Sequence, residues 1–428
     1  MSISHEGSEA KVKIPCGRET VEFSVPARNL VAVVSPPEVE PHPDPETAIS
    51  EALRHPVGMP PFSQVARGKK SVLLLVDDHT RPTPAKKILP LLIDELGEGK
   101  EVKILIASGT HRPMTAEEIG SKVGSDIVRT YPVLAHEWDN EEALLDLGET
   151  RSGTPIRVNR LVTQADLCLG IGNIVPHLFA GWAGGAKIIQ PGVCGADTTF
   201  STHLLAYRCP FPLLGRLDNP VRREIEEVAR MAGLTAIVNT VLDSRNSIVH
   251  VVAGEPETAH RQGVELAHSV WQVEAPSLVD IVIVSAYPTD SNYWQSTKGL
   301  ASAELMVRRG GEIILLSSCR EGVCRNEEHM RTLESLEGIP CRALLREAQR
   351  LGLTDYAALA VAGVAARCNE LAWVTVVSEC LTEDQAALMG HQHASAVEEA
   401  LGAAFERQGR DARVSVLTHG GDIFPLVA

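Results

Sequence analysis

The apolar positions of this 428-residue chain fall into short, fully apolar runs separated by amphipathic stretches. SVLLLVDD (71–78) and EVKILIAS (101–108) are such runs, each ending in polar residues, as strands buried on both faces of a parallel sheet do. Between them, PAKKILPLLIDELGEG (84–99) has the spacing of a helix with one apolar face. This βαβ order implies a right-handed crossover and brings both polar strand ends to one sheet edge. DIVRTYPVL (126–134) and DLCLGIGN (166–173) are expected to extend the sheet. NPVRREIEEVARMAGL (219–234) reads as a strong amphipathic helix, followed by a hairpin of AIVNTVLD (236–243) and IVHVVAG (248–254). A long helix, PETAHRQGVELAHSVWQ (256–272), then leads out of this first unit.

A second α/β unit begins near Asp280. DIVIVSAYP (280–288), a helix over GLASAELMVRRGG (299–311) and EIILLSS (312–318) make another βαβ unit, and WVTVVSE (373–379) and RVSVLTHGG (413–421) are later strands. The opening runs VKIPC, VEFSV and NLVAVV form a small β element ahead of a Pro-rich connector, SPPEVEPHPDPE, and the helix ETAISEALRH. The expectation is an α/β fold of two domains, mostly parallel in their sheets, with a site in the cleft between them. The domains are residues 1–275 and 276–428, the last few residues being open to a return to the first domain.

Charge and cysteine content narrow the class. A net charge of −15 argues against a nucleic-acid partner, because phosphate backbones are met by basic surfaces. It leaves small anionic substrates open, since a local Arg/Lys pocket outweighs a distant acidic surface. The nine cysteines occur singly, with no C-x-x-C spacing, and the first residues hold no apolar signal core. Both features point to a reducing cytoplasm. No apolar run reaches the roughly 18 residues of a membrane span.

Four segments carry chemistry at the expected strand ends. In DDHTRPTP (77–84), Arg81 stands at the polar edge of a buried strand, where a guanidinium grips a carboxylate or phosphate bidentately. The plainer alternative is that Asp78 or Thr80 caps a following helix. In ASGTHRPMTAEE (107–118), Thr115 and Glu118 form a capping box, and His111 and Arg112 precede it on the same sheet edge. GNIVPHLFAGWAGGAKIIQPGVCG (172–195) places His177 ten residues before Lys187, with Gly184 and Gly185 in the turn and His203 sixteen residues beyond. Neither Ser nor Thr follows the lysine, so this is no P-loop; desolvation among glycine and apolar residues would instead bare a nucleophilic amine. A packing role for the two glycines stays open. In DSNYWQSTKGL (290–300), Gln295 and Lys298 open a helix facing the cleft, and Tyr293 and Trp294 are candidates to wall a pocket. Cys194 reads as a small buried residue, and His5, His42, His136, His260, His391 and His393 as surface or structural. There is no H-E-x-x-H and no Cys/His cluster, so a metal here would take most of its ligands from a cofactor.

Taken together, DDHTRP, GTHRP, PHLFAGWAGGAKIIQPG, His203 and WQSTK resemble the lactate racemase family over nearly the whole chain. That resemblance implies a racemase or epimerase acting at C2 of a 2-hydroxy acid by transient hydride transfer. It implies a nickel-pincer nucleotide cofactor (nickel held by a pyridinium-3-thioamide-5-thiocarboxylic acid mononucleotide) joined covalently to Lys187, with His203 as the protein's nickel ligand. His111 and His177 would be the paired acid/base residues. Arg81, Gln295 and Lys298 would bind the substrate, while Asp78, Thr80, Arg81, Gly184 and Gly185 would help hold the cofactor. The implied partners are the 2-hydroxy-acid substrate and the enzymes that synthesise the cofactor and insert nickel. Two other readings remain at this stage. An NAD-dependent 2-hydroxy-acid dehydrogenase lacks its G-x-G-x-x-G fingerprint after an early strand. A non-catalytic binder of a nucleotide or small acid would have no need of both histidines, the lysine and the metal histidine.

Overall fold

The computed structural model describes residues 4–6, by their backbone, and 8–427; the side chain of His5 lies outside the described residues. Two six-stranded sheets organise the chain. The first runs, edge to edge, through Ile248–Gly254, Ala236–Leu242, Leu167–Asn173, Ser71–Asp77, Glu101–Ala107 and Val133–Ala135. Only the edge strand Ile248–Gly254 is antiparallel, as the second arm of the expected hairpin. The second sheet is parallel throughout, in the order Gln392–Ala394, Trp373–Val377, Val307–Leu316, Val279–Ser285, Val414–Leu417 and Leu30–Val34. Parallel strands buried on both faces explain the uninterrupted Val/Ile/Leu runs. They also set the loops after Asp77, Ala107 and Asn173 along one edge, and those after Ser285, Leu316 and Leu417 along another.

The chain crosses between the two expected units at both ends, at the C-terminal end as the return of the last residues that the sequence left open. The opening strands, read with residues 1–275, go with the second sheet, one as its edge and the others as a small separate sheet packed on it. Leu30–Val34 forms its edge, and the hairpin Glu9–Cys16/Glu19–Pro26 lays Val12, Ile14, Phe23 and Val25 on its core. Conversely, Phe424–Val427 pairs with Gln272–Ala275, at the end of the long helix Pro256–Trp271. Two local expectations change as well. DIVRT lies in a helix, Ser125–Thr130, leaving Val133–Ala135 as the only strand of that segment. The VRRGG end of the expected helix over 299–311 is already strand, within Val307–Leu316, because Leu305 and Met306 turn the chain after Ala303.

Candidate active site

The catalytic, cofactor, metal and substrate residues named from the sequence line one cavity of about 660 Å³ between the two sheets: Asp78, Thr80, Arg81, His111, His177, Gly184, Gly185, Lys187, His203, Gln295 and Lys298. The loop after the strand Ser71–Asp77 is braced from below. Thr83 Oγ1 donates to Asp77 Oδ2 (2.5 Å), and Lys122 Nζ lies 2.6 Å from Asp77 Oδ1 while donating to the Arg81 carbonyl. Within that loop Thr80 Oγ1 donates to Asp78 Oδ1 (2.5 Å), and His111 Nδ1 stands 2.7 Å from Asp78 Oδ2. Burial alone would lift the Asp78 carboxyl; His111, Arg81 and Thr80 outweigh it and hold it well below the usual carboxylate range. An ionised Asp78 accepts a hydrogen bond from Nδ1–H of His111, which leaves the Nε2 lone pair of the neutral ring free to accept a proton. Arg112, beside it, is spent on a two-pronged pair with Glu118 in the capping box.

His177 is held differently. It ends a two-residue strand, Pro176–His177, paired with Gly181–Trp182. Its Nδ1 accepts from the amides of Phe179 and Ala180 (3.2 Å each), so the neutral ring carries its proton on Nε2. Burial, followed by the neighbouring Lys187, Arg81 and Lys298 charges, pushes its pKa well below the ordinary value and keeps it neutral.

Lys187 stands in the short helical turn Gly185–Ile188. Among the described residues its amine makes no hydrogen bond or ion pair, and burial with Arg81, Lys298 and Arg222 drives its pKa well down. The loop that carries it is tightly packed. Gly184 and Gly185 have positive φ (77° and 61°), and a Cβ on Gly185 would come within 2.7 Å of the His260 ring. Gly185 N donates to Asn239 Oδ1, His260 Nε2 to the Ala183 carbonyl, and Arg222 to the carbonyls of Trp182 and Gly184. Both glycines thus serve packing while lining the cavity. Asn239, Arg222 and His260 are the supports that sequence reading passed over.

His203, on the helix Ala196–Arg208, gives its Nδ1 proton to the Thr199 carbonyl (2.8 Å) and so turns a bare Nε2 outward, the arrangement of a metal-ligating histidine. Among the described residues no group of three or more His, Cys, Asp or Glu side chains is placed to hold a metal alone. A bare imidazole and an unpaired amine in one cavity fit a lysine-tethered cofactor that brings the other metal ligands itself.

The second sheet closes the cavity with Trp294, Gln295 and Lys298 on the helix Tyr293–Ala303, capped by Asn292. Burial and Arg81 push the Lys298 pKa down, while Asp422 and Asp78 pull it back. Asp422 is a site neighbour that sequence reading missed, brought in by the HGGD turn after Val414–Leu417. Tyr293 does not wall the pocket. It is buried, with its hydroxyl 2.7 Å from His391 Nε2. Cys194 is buried in an apolar cluster, and burial pushes its thiol up. His136, His260 and His391 are buried structural groups; His393 binds the Ser378 carbonyl.

Two α/β domains meeting at a cavity with two histidines, a half-buried, unpaired amine and two cations define a two-domain α/β enzyme with its site at the junction. Comparison with known proteins gives the family. Residues 16–211 match the lactate racemase N-terminal domain and residues 274–424 the lactate racemase C-terminal domain. The lactate racemase of Thermoanaerobacterium thermosaccharolyticum is 35% identical over 322 residues, 73% of this chain and 75% of that protein. That of Lactiplantibacillus plantarum is 30% identical over 382 residues, 88% and 89% of the two chains. The solved lactate racemase apoprotein from T. thermosaccharolyticum superposes with a TM-score of 0.89 at 30% identity, covering 97% of this chain and all of that one. A Thermotoga maritima protein shares the fold at TM-score 0.72 and 21% identity, covering 91% of this chain and all of that one. The chain belongs to the lactate racemase family and is an isomerase.

Proposed function

We propose that this isomerase inverts C2 of a 2-hydroxy acid, lactate being the first substrate to try, with a nickel-pincer nucleotide tethered to Lys187. The observation that carries this reading is the convergence in one cavity of an unpaired, half-buried Lys187 amine, the bare Nε2 of His203 and the two histidines His111 and His177. When bound, the cofactor would supply a reversible acceptor for the C2 hydrogen, which is far too weakly acidic to leave as a proton. The protein's own residues do the rest. Arg81 and Lys298 bind the carboxylate; Arg81 makes no ion pair among the described residues, and its Nη1 is steadied by Thr80. Gln295 orients the substrate from the second domain. His111, aligned by Asp78, accepts the hydroxyl proton, and His177 serves the oxygen when the substrate presents its other hand. Asp78 and Thr80 together fix the loop against which the cofactor would rest.

The deciding experiment is intact mass and metal analysis of protein produced together with the cofactor-synthesis enzymes. Wild type should carry a cofactor-sized addition and nickel, and should racemise lactate. Lys187→Ala should carry no addition, and Lys187→Arg should fail likewise because a guanidinium is no nucleophile near neutral pH. A full mass addition on Lys187→Ala would overturn the tether. His203→Ala should lose nickel while keeping the organic part.

A further inference from the structure

The wall behind Lys187 holds a charge that the reaction above does not use. Arg222, the third residue of the helix Pro220–Ala232, is 1% exposed and stands outside the cavity. Its guanidinium donates to the carbonyls of Trp182 and Gly184, in the turn that leads into Lys187. Asn219, the cap of the same helix, holds the Ala180 carbonyl. The start of this helix thus fixes every second carbonyl from Ala180 to Gly184. Among the described residues no carboxylate lies within ion-pair distance of Arg222, and its Nε has no hydrogen-bond partner. Glu226, one turn further along the helix, is met instead by Arg261 at 3.6 Å.

Bracing alone does not call for a charge. Asn219 and Asn239 hold the same loop with neutral amides, Asn239 Oδ1 receiving the Gly185 N–H. A buried guanidinium without a partner carboxylate is costly, and such groups are kept where their field is used. Around the Lys187 amine stand Asp78 and Arg81 on the loop after Ser71–Asp77, His111 on the loop after Glu101–Ala107 and His177 on its short strand. His203 on Ala196–Arg208, His260 on Pro256–Trp271 and Lys298 on Tyr293–Ala303 complete the surround. Asp78 is the one carboxylate among these, and it is engaged by His111 and Thr80. Arg81 and Lys298 face the cavity, so an anion bound there quenches them. Arg222 lies behind the wall and keeps its charge whatever is bound. We infer that Arg222 is a positioning residue for Lys187, holding its loop by the Trp182 and Gly184 carbonyls and, as a fixed cation, favouring the neutral, nucleophilic amine. Burial weakens the basicity of Lys187 first, and Arg81, Lys298 and Arg222 add to it. The use made of that amine rests on the tether reading; its state in the apoprotein does not.

The test is the pH profile of Lys187 in the apoprotein. Trace acetic anhydride acylates only a neutral amine: the nitrogen lone pair forms the C–N bond, acetate leaves and the nitrogen sheds one proton. Acetylation of the Lys187 peptide, read by mass spectrometry against a free-amine standard, therefore titrates that residue alone. In wild type the profile should turn well below that of an ordinary lysine. Arg222→Gln keeps a donor to the loop but no charge, and should move the midpoint up by about one pH unit, the scale of one nearby charge acting through protein. Asn239→Ala removes a neutral brace from the same turn and should leave the midpoint in place. Should Arg222→Gln not fold with Glu226 left buried, Arg222→Gln/Glu226→Gln leaves neither charge behind and should show the same upward shift. A wild-type midpoint in the Arg222 variant, or an equal shift in Asn239→Ala, would overturn the inference. Production together with the cofactor-synthesis enzymes separates the two readings. If Lys187 titrates as stated but gains no cofactor mass, the tether reading fails and the hold of Arg222 on the amine stands.

Discussion

His111 and His177 enter the cavity in opposite states. Nδ1–H of His111 donates to Asp78, whereas Nδ1 of His177 accepts from two backbone amides. One ring is set to accept a proton and the other to donate one. On the proposed reaction His111 would serve a substrate of one hand at once; for the other, His177 would first have to turn its ring off the amides so that the Nδ1 lone pair faces the hydroxyl. Single His→Ala changes should each cut overall racemisation by roughly 10²–10⁴-fold, the usual effect of losing a positioned acid/base group. Single-turnover formation of the keto acid should favour one enantiomer in His111→Ala and the other in His177→Ala. Matching losses for both enantiomers in both variants would end the division of labour. Much of this site was legible in the sequence because Asp78, Arg81, His111, His177, Lys187 and Lys298 stand in tight local patterns at strand ends. Arg222 and Asp422 were not legible. Arg222 reads as a charged position on an amphipathic helix, and the Gly184 carbonyl it holds comes from 38 residues away.

At the scale of elements, the lysine loop owes its shape to close contacts as much as to the strand before it. Gly185 has φ +61°, a region that L side chains seldom adopt, and the His260 ring fills the space a Cβ would need. Gly185→Ala should therefore destabilise the protein by about 1–3 kcal/mol, read as a lower denaturant midpoint. It should also displace Lys187, so the cofactor mass addition should fall more steeply than stability does. Normal stability with full cofactor loading would show that the loop tolerates a side chain. The elements most readable from sequence were those with long, pure patterns, such as Ser71–Asp77 or the helix Pro220–Ala232. DIVRT was misread because five residues cannot separate a strand period from one turn of helix, and Tyr131–Pro132 ends either.

The whole molecule is tied at both ends, since Leu30–Val34 forms the edge of the second sheet and the last strand returns to the end of the first domain's long helix. The sequence left the return of the last residues open, but not the crossing of the first strand, because a short apolar run such as Leu30–Val34 says that it is buried but not against which sheet. Both halves also bury neutral histidines away from the reacting centre. His260 lies under Gly185, its pKa pushed well down by burial and Arg222. In the other half, burial lowers His391 to about 3 and His419 to about 4. His391 receives the Tyr293 hydroxyl on Nε2 and gives its Nδ1 proton to Asn369, an arrangement only the neutral ring satisfies. An unfolded chain protonates these rings near pH 6.5, whereas the folded one resists until much lower pH. The unfolded state therefore binds more protons in that interval, and stability must fall as pH drops from about 6.5 toward 4. Above pH 7 the contribution is fully present. Each such histidine costs about 1.4 kcal/mol per pH unit inside the window. Apoprotein denatured in urea should show a midpoint steady above pH 7 and declining below about 6.5, before most carboxylates titrate. His391→Gln should be less stable at pH 7, since Tyr293 and Asn369 lose a well-placed partner, yet its midpoint should decline less steeply. An unchanged slope in that variant would mean that His391 does not contribute to the acid sensitivity.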